Sequence, residues 1–458
     1  MPDLRCFNAY DIRGRLGDTL DEGIAYRIGR AFARVLQARK VVVGYDIRAS
    51  SPALSEALIQ GLMDEGVDVL ELGLSGTEEM YCATSFFDAD GGVCVTASHN
   101  PIDYNGMKMV RAGSAPIGTD TGLSAIKNLA QEDAFGPAKK GASRRDVGGE
   151  ARVAYVEKVL SIVDISAMKP LSIVVNAGNG AAGPTFDAIA QALDEKGAPL
   201  TFQRVHHTPD GSFPNGIPNP LLPENRPVTA DAVRAAGADL GIAWDGDFDR
   251  CFFFDHRGDF IDGEYIVGLL AAAFLGKEPG ATIVHDPRVV WNTQGIVAQG
   301  GGVAHQSRTG HAFIKQALRD TGAVYGGEMS AHHYFRDFYC CDSGMIPWLL
   351  VVELLGREGM ALSDMISARR AAFPSSGEHN FRLEDPEGAI TRVIDALEGK
   401  ALSRDDTDGV SLAFSDWRLN LRRSNTEPLV RLNVESRGDT DLLARKTELV
   451  RGLLVGNG

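Results

Sequence analysis

The sequence predicts an α/β protein: three α/β domains followed by a C-terminal α+β domain with an antiparallel sheet. Three observations carry this expectation. The chain has 458 residues, too many for one hydrophobic core, and its length points to about three or four domains. Helix-period segments and short apolar runs alternate through most of it, as in α/β folds. Its last part sets three strand-like runs in close succession, which favours antiparallel pairing.

Thr19 and Glu22 have the spacing of a capping box. Behind them Ile24, Ile28, Ala31, Phe32, Val35 and Leu36 recur with helical period. "KVVVGYD" reads as a buried strand. Ser51-Pro52 opens the next helix, with proline in its first turn, and Gly66 stops it. "VDVLELG" is again a strand. The rhythm restarts near residue 151 with the helix "ARVAYVEKVLSIV", the strand "LSIVVNAGNG" and later "ADLGIAWDGDFDR". It restarts once more after residue 255, with "EYIVGLLAAAFLG", "ATIVHD" and a helix–strand pair ending in "AVYGGEMS". The helix "GAITRVIDALEG", the strands "GVSLAF", "WRLNLR" and "LVRLNVES", and the helix "TDLLARKTELVRGLL" complete the chain. The expected domains are 1–150, 151–254, 255–369 and 370–458.

Composition narrows the function. Apolar residues make up 44% and charged residues 23%, which is ordinary for a globular protein, and the formal net charge is −15. A broad nucleic-acid surface needs a basic face, so that class is excluded. An anionic ligand must therefore be gripped by a local cluster of Arg, Lys and backbone N–H groups. The six cysteines form no C-x-x-C pair, and they read as buried thiols in a reducing compartment. The start of the chain has no apolar signal core, and the longest apolar stretches are too short to span a bilayer. A cytoplasmic protein with no membrane partner is expected.

The sharpest constellation is "WDGDFDR". Asp245, Asp247 and Asp249 alternate between the apolar runs "LGIAW" and "CFFFD", so an extended chain points all three carboxylates one way. Such a set resists ionising unless a cation sits among them. Oxygen-only ligands favour a hard ion, Mg²⁺ before Ca²⁺. An EF-hand loop fails, because its sixth and twelfth positions hold Arg250 and His256. A D-x-D phosphatase with Asp245 as nucleophile stays open.

"TASHNP" brings Ser98 and His99 together after the run "GGVCV". Adjacent side chains diverge and seldom form a triad. In "NAGNGAAGP", Gly178, Gly180 and Gly183 have G-x-G-x-x-G spacing, but the next strand lacks the acidic residue for a ribose. Tight turning and close helix packing explain these glycines better. "LRRSNTEP" offers Arg422, Ser424, Asn425 and Thr426, donors that suit a phosphate monoester or a polar hairpin turn equally. "GGEMSAHHYF" places Glu328, Ser330 and His332 after a strand, where a carboxylate and a hydroxyl can reach sugar hydroxyls. Tyr10 and Arg13 in "YDIRG", Lys108 in "NGMKM", and His311 and Lys315 in "TGHAFIK" carry little weight singly.

Together these segments resemble the α-D-phosphohexomutase superfamily, in its bacterial phosphomannomutase/phosphoglucomutase branch. The resemblance runs in order through "YDIRG", "TASHNP", "NGMK", "DGSFPN" with "PEN", "DGDFDR", "TGHAFIK", "GGEMSAHH" and "RRSNTEP". It implies four domains around a central cleft, the first three with mixed sheets. It implies that Ser98 is a phosphoserine, and that Asp245, Asp247 and Asp249 hold Mg²⁺ together with its phosphate. Arg250 and Lys108 would neighbour the transferring group, and Glu328 and Ser330 would read sugar hydroxyls. Arg422, Ser424, Asn425 and Thr426 would hold the phosphate that is not reacting. Arg13, His99, His311 and His332 would line the cleft, with His332 or Lys108 carrying the proton. Tyr10 and Arg288 join the substrate-binding set.

The activity so implied is interconversion of mannose 6-phosphate and mannose 1-phosphate through a hexose 1,6-bisphosphate, which also serves as activator. Three departures from the common pattern, Phe248 and Ala331 for Gly and Arg288 for Lys, resemble the branch that feeds GDP-mannose synthesis. Phe248 is expected to change the local conformation of its loop. Glucose phosphates remain open as further substrates. The competing readings are the Asp245-nucleophile sugar phosphatase or mutase, and a non-catalytic sugar-phosphate binding protein.

Overall fold

A computed structural model describes residues 4–423 and 429–456. The chain divides into two compact units, Met1–Phe260 with His332–Gly359, and Ile261–Ala331 with Met360–Gly458.

The first unit opens with a mixed sheet. Its strand order is Ile12–Arg15, Tyr104–Arg111, Gly91–Val95, Lys40–Tyr45, Asp68–Leu74, Arg144–Asp146, with Ala115–Pro116 added beside Tyr104–Arg111. The strands from Gly91–Val95 to Arg144–Asp146 run parallel, and Tyr104–Arg111 is antiparallel to its neighbours. The helices Glu22–Leu36 and Ser51–Asp64 bury Ile28, Phe32 and Leu58 against Val41, Val43, Val93 and Val95. A Cβ on Gly29 would meet the Leu58 carbonyl oxygen at 2.3 Å, and one on Gly61 the Tyr26 oxygen at 2.1 Å. Two glycines thus let the helix backbones touch.

The capping box expected at Thr19 and Glu22 does not form. Asp21 is the N-cap, and its carboxylate accepts from the Ile24 N–H at 2.7 Å. The Thr19 hydroxyl instead accepts from the Arg15 N–H at 2.8 Å, closing the turn one step earlier. Aspartate caps as well as threonine and stands nearer the first helical residue.

A second mixed sheet of this unit orders Cys251–Asp255, Leu240–Trp244, Leu171–Asn176 and Leu200–Val205, antiparallel at the first pairing and parallel after it. The three glycines near residue 180 serve packing, as expected. Cβ atoms there would strike Pro218 at 2.3 Å, the Gly246 oxygen at 2.9 Å and the His207 oxygen at 2.1 Å. The hairpin of His333–Phe335 with Cys341–Asp342 and the buried helix Met345–Glu358 complete the unit.

In the second unit Thr282–His285 pairs in parallel with Val303–Gln306 and with Tyr325–Gly327. Its C-terminal part is the expected antiparallel sheet, in the order Ser375–Arg382, Leu429–Ser436, Trp417–Arg423, Val410–Ala413, Ser403–Asp405. Val393 of helix Pro386–Leu397 and Val450 and Leu454 of helix Thr440–Val455 share a core with Leu419, Leu421, Leu432 and Val434. The six cysteines are free thiols. Among the described residues no helix is long and apolar enough to cross a membrane.

Gly61→Ala is expected to force the two helices apart and destabilise the first unit by about 1–3 kcal/mol. A lower midpoint of its urea unfolding transition would show this.

Candidate active site

The site of the first unit grows from two strand ends. Gly91–Val95 delivers the loop with Thr96, Ser98 and His99, and Leu240–Trp244 delivers Asp245, Asp247 and Asp249. The aspartates do not continue the strand as the alternation predicted. The Phe248 N–H turns back to the Asp245 oxygen at 3.2 Å, and Phe248 is left-handed at φ 49°. The carboxylates converge through a turn because Gly246 brings it against the Ser98 loop. A Cβ there would meet the Ser98 oxygen at 2.6 Å.

All three carboxylates are buried, and one ligand atom from each lies within 4.8 Å of the others. The Oδ1 atoms of Asp245, Asp247 and Asp249 accept no hydrogen bond. Their Oδ2 atoms are engaged. Lys108 Nζ reaches Asp247 Oδ2 at 2.8 Å and also Asp249 Oδ2. Asp247 Oδ2 accepts as well from Thr77 at 2.8 Å and Thr96 at 3.1 Å. Three clustered carboxylates, each with an oxygen that accepts no hydrogen bond and with no softer ligand in the triad, fit a hard divalent cation.

Without such an ion the charges are unequal. Burial, with Asp249 and Asp247 beside it, pushes the Asp245 carboxyl up to about 7. Burial acts the same way on Asp249, but Lys108 and His332 outweigh it and hold that group well below the usual carboxylate range. Burial, Arg250 and Arg13 push His99 well below the ordinary imidazole range, so its ring is neutral.

Ser98 is buried and left-handed at φ 49°. Its hydroxyl donates to Asp245 Oδ2 at 2.6 Å and lies 3.0 Å from His99 Nδ1. Arg250 Nε lies 3.5 Å from Asp245 Oδ2 and 3.3 Å from His332 Nε2, and that imidazole nitrogen lies 3.5 Å from Asp249 Oδ1. Arg13 donates to the Thr96 carbonyl at 2.8 Å and to Asp11 at 2.9 Å. Of the catalytic residues read from the sequence, Ser98, His99, Lys108, Arg250, His332 and Arg13 are therefore all gathered here. Tyr10 lies partly buried just before the strand that bears Arg13.

The second unit brings arginines and carboxylates together. Arg288 is buried and binds Asp286 through Nη2 at 2.5 Å and Nε at 3.1 Å, and its Nη2 reaches Ser330 Oγ at 3.2 Å. Glu328 Oε1 accepts from the Gly310 N–H at 2.9 Å, beside His311 at the start of its helix. Arg288, Arg422 and Arg431 all approach the carboxylate of Glu378, at 3.7, 3.4 and 3.5 Å. Burial, with Arg288 nearby, lowers the pKa of Arg422 although Glu378 and Asp408 act against it. Ser424, Asn425 and Thr426 lie outside the described residues.

Sequence reasoning missed Arg48. This buried guanidinium donates to four backbone oxygens of the serine loop: Ser98 at 3.0 Å, Asn100 at 2.5 Å, Pro101 at 2.9 Å and Tyr104 at 3.1 Å. Asp46 anchors it from below, accepting from the Arg48 N–H at 3.0 Å and from Ser51 Oγ at 2.5 Å. The run "GYDIR" had a signal, an acid–base pair directly after a buried strand. Asp286, Glu378 and Arg431 were also missed, as was Asp342, which clusters with Asp249 and His332.

The chain matches four consecutive segments of one family: phosphoglucomutase/phosphomannomutase alpha/beta/alpha domain I over residues 4–136, domain II over 153–258, domain III over 262–373 and the C-terminal domain over 378–452. It is 57% identical to a phosphomannomutase of Salmonella montevideo, over 99% of this chain and all of that one. It is 55% identical to a protein of Xanthomonas campestris described as phosphohexose mutases, with the same coverage. Among solved structures, a phosphoglucomutase/phosphomannomutase family protein from Burkholderia thailandensis aligns with a TM-score of 0.86 at 33% identity, over 100% of this chain and 98% of that one. An N-acetylphosphoglucosamine mutase of Aspergillus fumigatus bound to glucose 1,6-bisphosphate aligns with a TM-score of 0.61 over 100% of this chain and 96% of that one; at 16% identity it shows the fold alone.

Arg48→Met keeps the length of the side chain and removes four donors. It should destabilise the first unit by about 3 kcal/mol or more. Arg48→Lys should recover only part, because an ammonium cannot span four acceptors. Urea unfolding of both variants checks the order.

Proposed function

The chain belongs to the phosphoglucomutase/phosphomannomutase family, and on that premise we propose that it interconverts mannose 6-phosphate and mannose 1-phosphate through a phosphoserine at residue 98. The observation that carries this reading is the buried Ser98 hydroxyl, held 2.6 Å from one of three convergent aspartates whose Oδ1 atoms accept no hydrogen bond.

Ser98 Oγ carries the phosphoryl group. Its O–P bond breaks as a P–O bond forms to the free hydroxyl of the hexose phosphate, giving the 1,6-bisphosphate. The bisphosphate turns over, its other phosphoryl group returns to Ser98, and the isomer leaves. Such transfer asks the protein for position and neutralised charge more than for covalent chemistry. Arg48 and Thr96 hold the loop so that Ser98 keeps one direction of attack. Arg250 and Lys108 stand ready for the charge on the transferring oxygens. Lys108, engaged by two carboxylates, serves as a fixed charge. That leaves His332 to take the proton of the attacking hydroxyl. Asp245, Asp247 and Asp249 would hold Mg²⁺, which when bound supplies compensating charge for the phosphoryl oxygens.

In the second unit, Glu328 and Ser330 are assigned to sugar hydroxyls, and Arg288 and Arg422 to the phosphate that is not reacting. Tyr10 and His311 join the substrate contacts, and Ser424, Asn425 and Thr426 join the phosphate contacts. A phosphate site that reads no ring atom accepts either end of the sugar, as the turnover of a bisphosphate requires. Hexose 1,6-bisphosphate is the activator, since it gives a phosphoryl group back to any Ser98 that has lost its own to hydrolysis. A cytoplasmic setting is supported by the free thiols. The reading with Asp245 as nucleophile is not favoured, because Asp245 already accepts the Ser98 hydroxyl and the relatives are mutases.

Phosphopeptide mapping is expected to find an acid-stable phosphoester on Ser98, and Ser98→Ala to lose activity on the order of 10³-fold or more. A hydroxylamine-labile acyl phosphate together with full activity in Ser98→Ala would overturn the assignment. Steady-state kinetics with mannose 1-phosphate against glucose 1-phosphate, in Mg²⁺ with a trace of bisphosphate, should favour the mannose ester.

A further inference from the structure

We propose that Phe248 and Gly76 form a ring-in-notch lock, a pair of positioning residues that holds the aspartate loop in its metal-binding shape. The proposal rests on reading Asp245, Asp247 and Asp249 as metal ligands.

Phe248 sits between two of these aspartates, fully buried, at φ 49°. A bulky side chain at positive φ is an outlier, and it persists only where its surroundings over-determine it. The notch supplies that determination. Gly76 has φ −90°, which any residue adopts, so glycine is needed here for space alone. A Cβ on Gly76 would lie 2.1 Å from Phe248 Cε1, 2.2 Å from Cζ and 2.7 Å from Cδ1. Neither partner can step aside easily. The Gly76 N–H donates to Glu79 Oε2 at 2.9 Å at the start of helix Thr77–Phe86.

The next two residues grip the same loop. Thr77 donates to Asp247 twice, from Oγ1 to Oδ2 at 2.8 Å and from N–H to the carbonyl at 3.3 Å. The buried Glu78 carboxylate accepts from Tyr155 at 2.8 Å, from the Gly344 and Met345 N–H groups at 3.0 and 3.2 Å, and from Ser343. Gly344 in turn lies against the loop. A Cβ there would meet the Phe248 oxygen at 2.3 Å and the Arg250 oxygen at 2.9 Å. Three consecutive residues thus frame the loop, and the ring packs where its backbone is left-handed. A slip of the ring would rotate the flanking Asp247 and Asp249 and separate the three carboxylates.

The test is a double-mutant cycle on the full chain with Gly76→Ala, Phe248→Gly and the pair combined, plus Phe248→Leu. Mn²⁺ alone is titrated with electron paramagnetic detection of the free ion, and urea unfolding is recorded beside it. Partners that orient ligands typically govern metal affinity by about 10–100-fold. Gly76→Ala and Phe248→Gly should each weaken Mn²⁺ binding by about tenfold or more. The double variant should bind no worse than Phe248→Gly, because the clash disappears with the ring. Phe248→Leu, which keeps apolar bulk in the notch, should recover most of the affinity. Additive losses, or unchanged Mn²⁺ binding with only a lower urea midpoint, would overturn the lock. Should Gly76→Ala fail to fold, an equal failure of the double variant would also count against it. Wild type that binds no Mn²⁺, or an Asp247→Asn variant that binds as well as wild type, would instead sink the metal reading on which the lock rests.

Discussion

The first unit is organised around one electrostatic constraint: three carboxylates within 4.8 Å of one another in a buried site. Like charges so placed repel, and burial raises the cost of each. Lys108 compensates one face of the triad through the Oδ2 atoms of Asp247 and Asp249. The three Oδ1 atoms are left with no hydrogen bond, and that of Asp249 has a charged neighbour, His332, at 3.5 Å. The rise of Asp245 to about 7 is the part of the strain that Lys108 does not relieve. A divalent cation among the carboxylates would relieve it and bring the third carboxylate into its charged form. The Ser98 hydroxyl donates to that carboxylate, so a cation bound there and the serine would draw on the same charge.

The serine loop answers a related demand by other means. A left-handed Ser98 is strained, and no glycine relieves it. Arg48 gathers four carbonyl oxygens of residues 98–104, while the Thr96 hydroxyl accepts the Ser98 N–H at 2.9 Å. A buried cation held chiefly by backbone oxygens and one carboxylate is costly to form, but once formed it leaves the loop few alternatives. The second unit uses the reverse arrangement. Arg288, Arg422 and Arg431 converge on one carboxylate, Glu378, while Asp286 and Glu328 also face Arg288 and Asp408 faces Arg422.

Much of this was legible in the sequence where a motif coincided with a buried strand end. Ser98 and the aspartate triad stand directly after Gly91–Val95 and Leu240–Trp244, whose apolar runs announce them. Lys108 could be named but not placed, because its strand, Tyr104–Arg111, has no clean alternation. Glu378 was invisible for a stronger reason. Its strand, Ser375–Arg382, is polar and half-exposed, and its pairing with Leu429–Ser436 is fixed by tertiary contacts that no local pattern encodes. Arg48 lies about 50 residues from the oxygens it holds, and its role is a property of the fold. The helix start at Glu22 turned on which of two good capping residues stood closer, a choice of one or two positions that spacing alone does not settle.

The departures from the family pattern sharpen this division. Phe248 was expected to alter the conformation of its loop, yet its backbone occupies the left-handed region that glycine favours, and so does Ala331 at φ 70°. Both positions thus retain the conformation glycine would adopt while carrying a side chain. At a left-handed position a Cβ adds strain on the order of 1–2 kcal/mol. Burying a phenylalanine side chain returns about 1.5–3 kcal/mol, but only if a cavity of its shape exists. Gly76 supplies that cavity, and its own φ shows that conformation did not require glycine there. The glycine freedom that a D-G-D-G-D loop would use in the backbone has been exchanged here for a packing contact between two segments 172 positions apart, 248 − 76. A loop set by packing is stiffer than one set by glycine, so the aspartates of this chain are held before any ligand arrives.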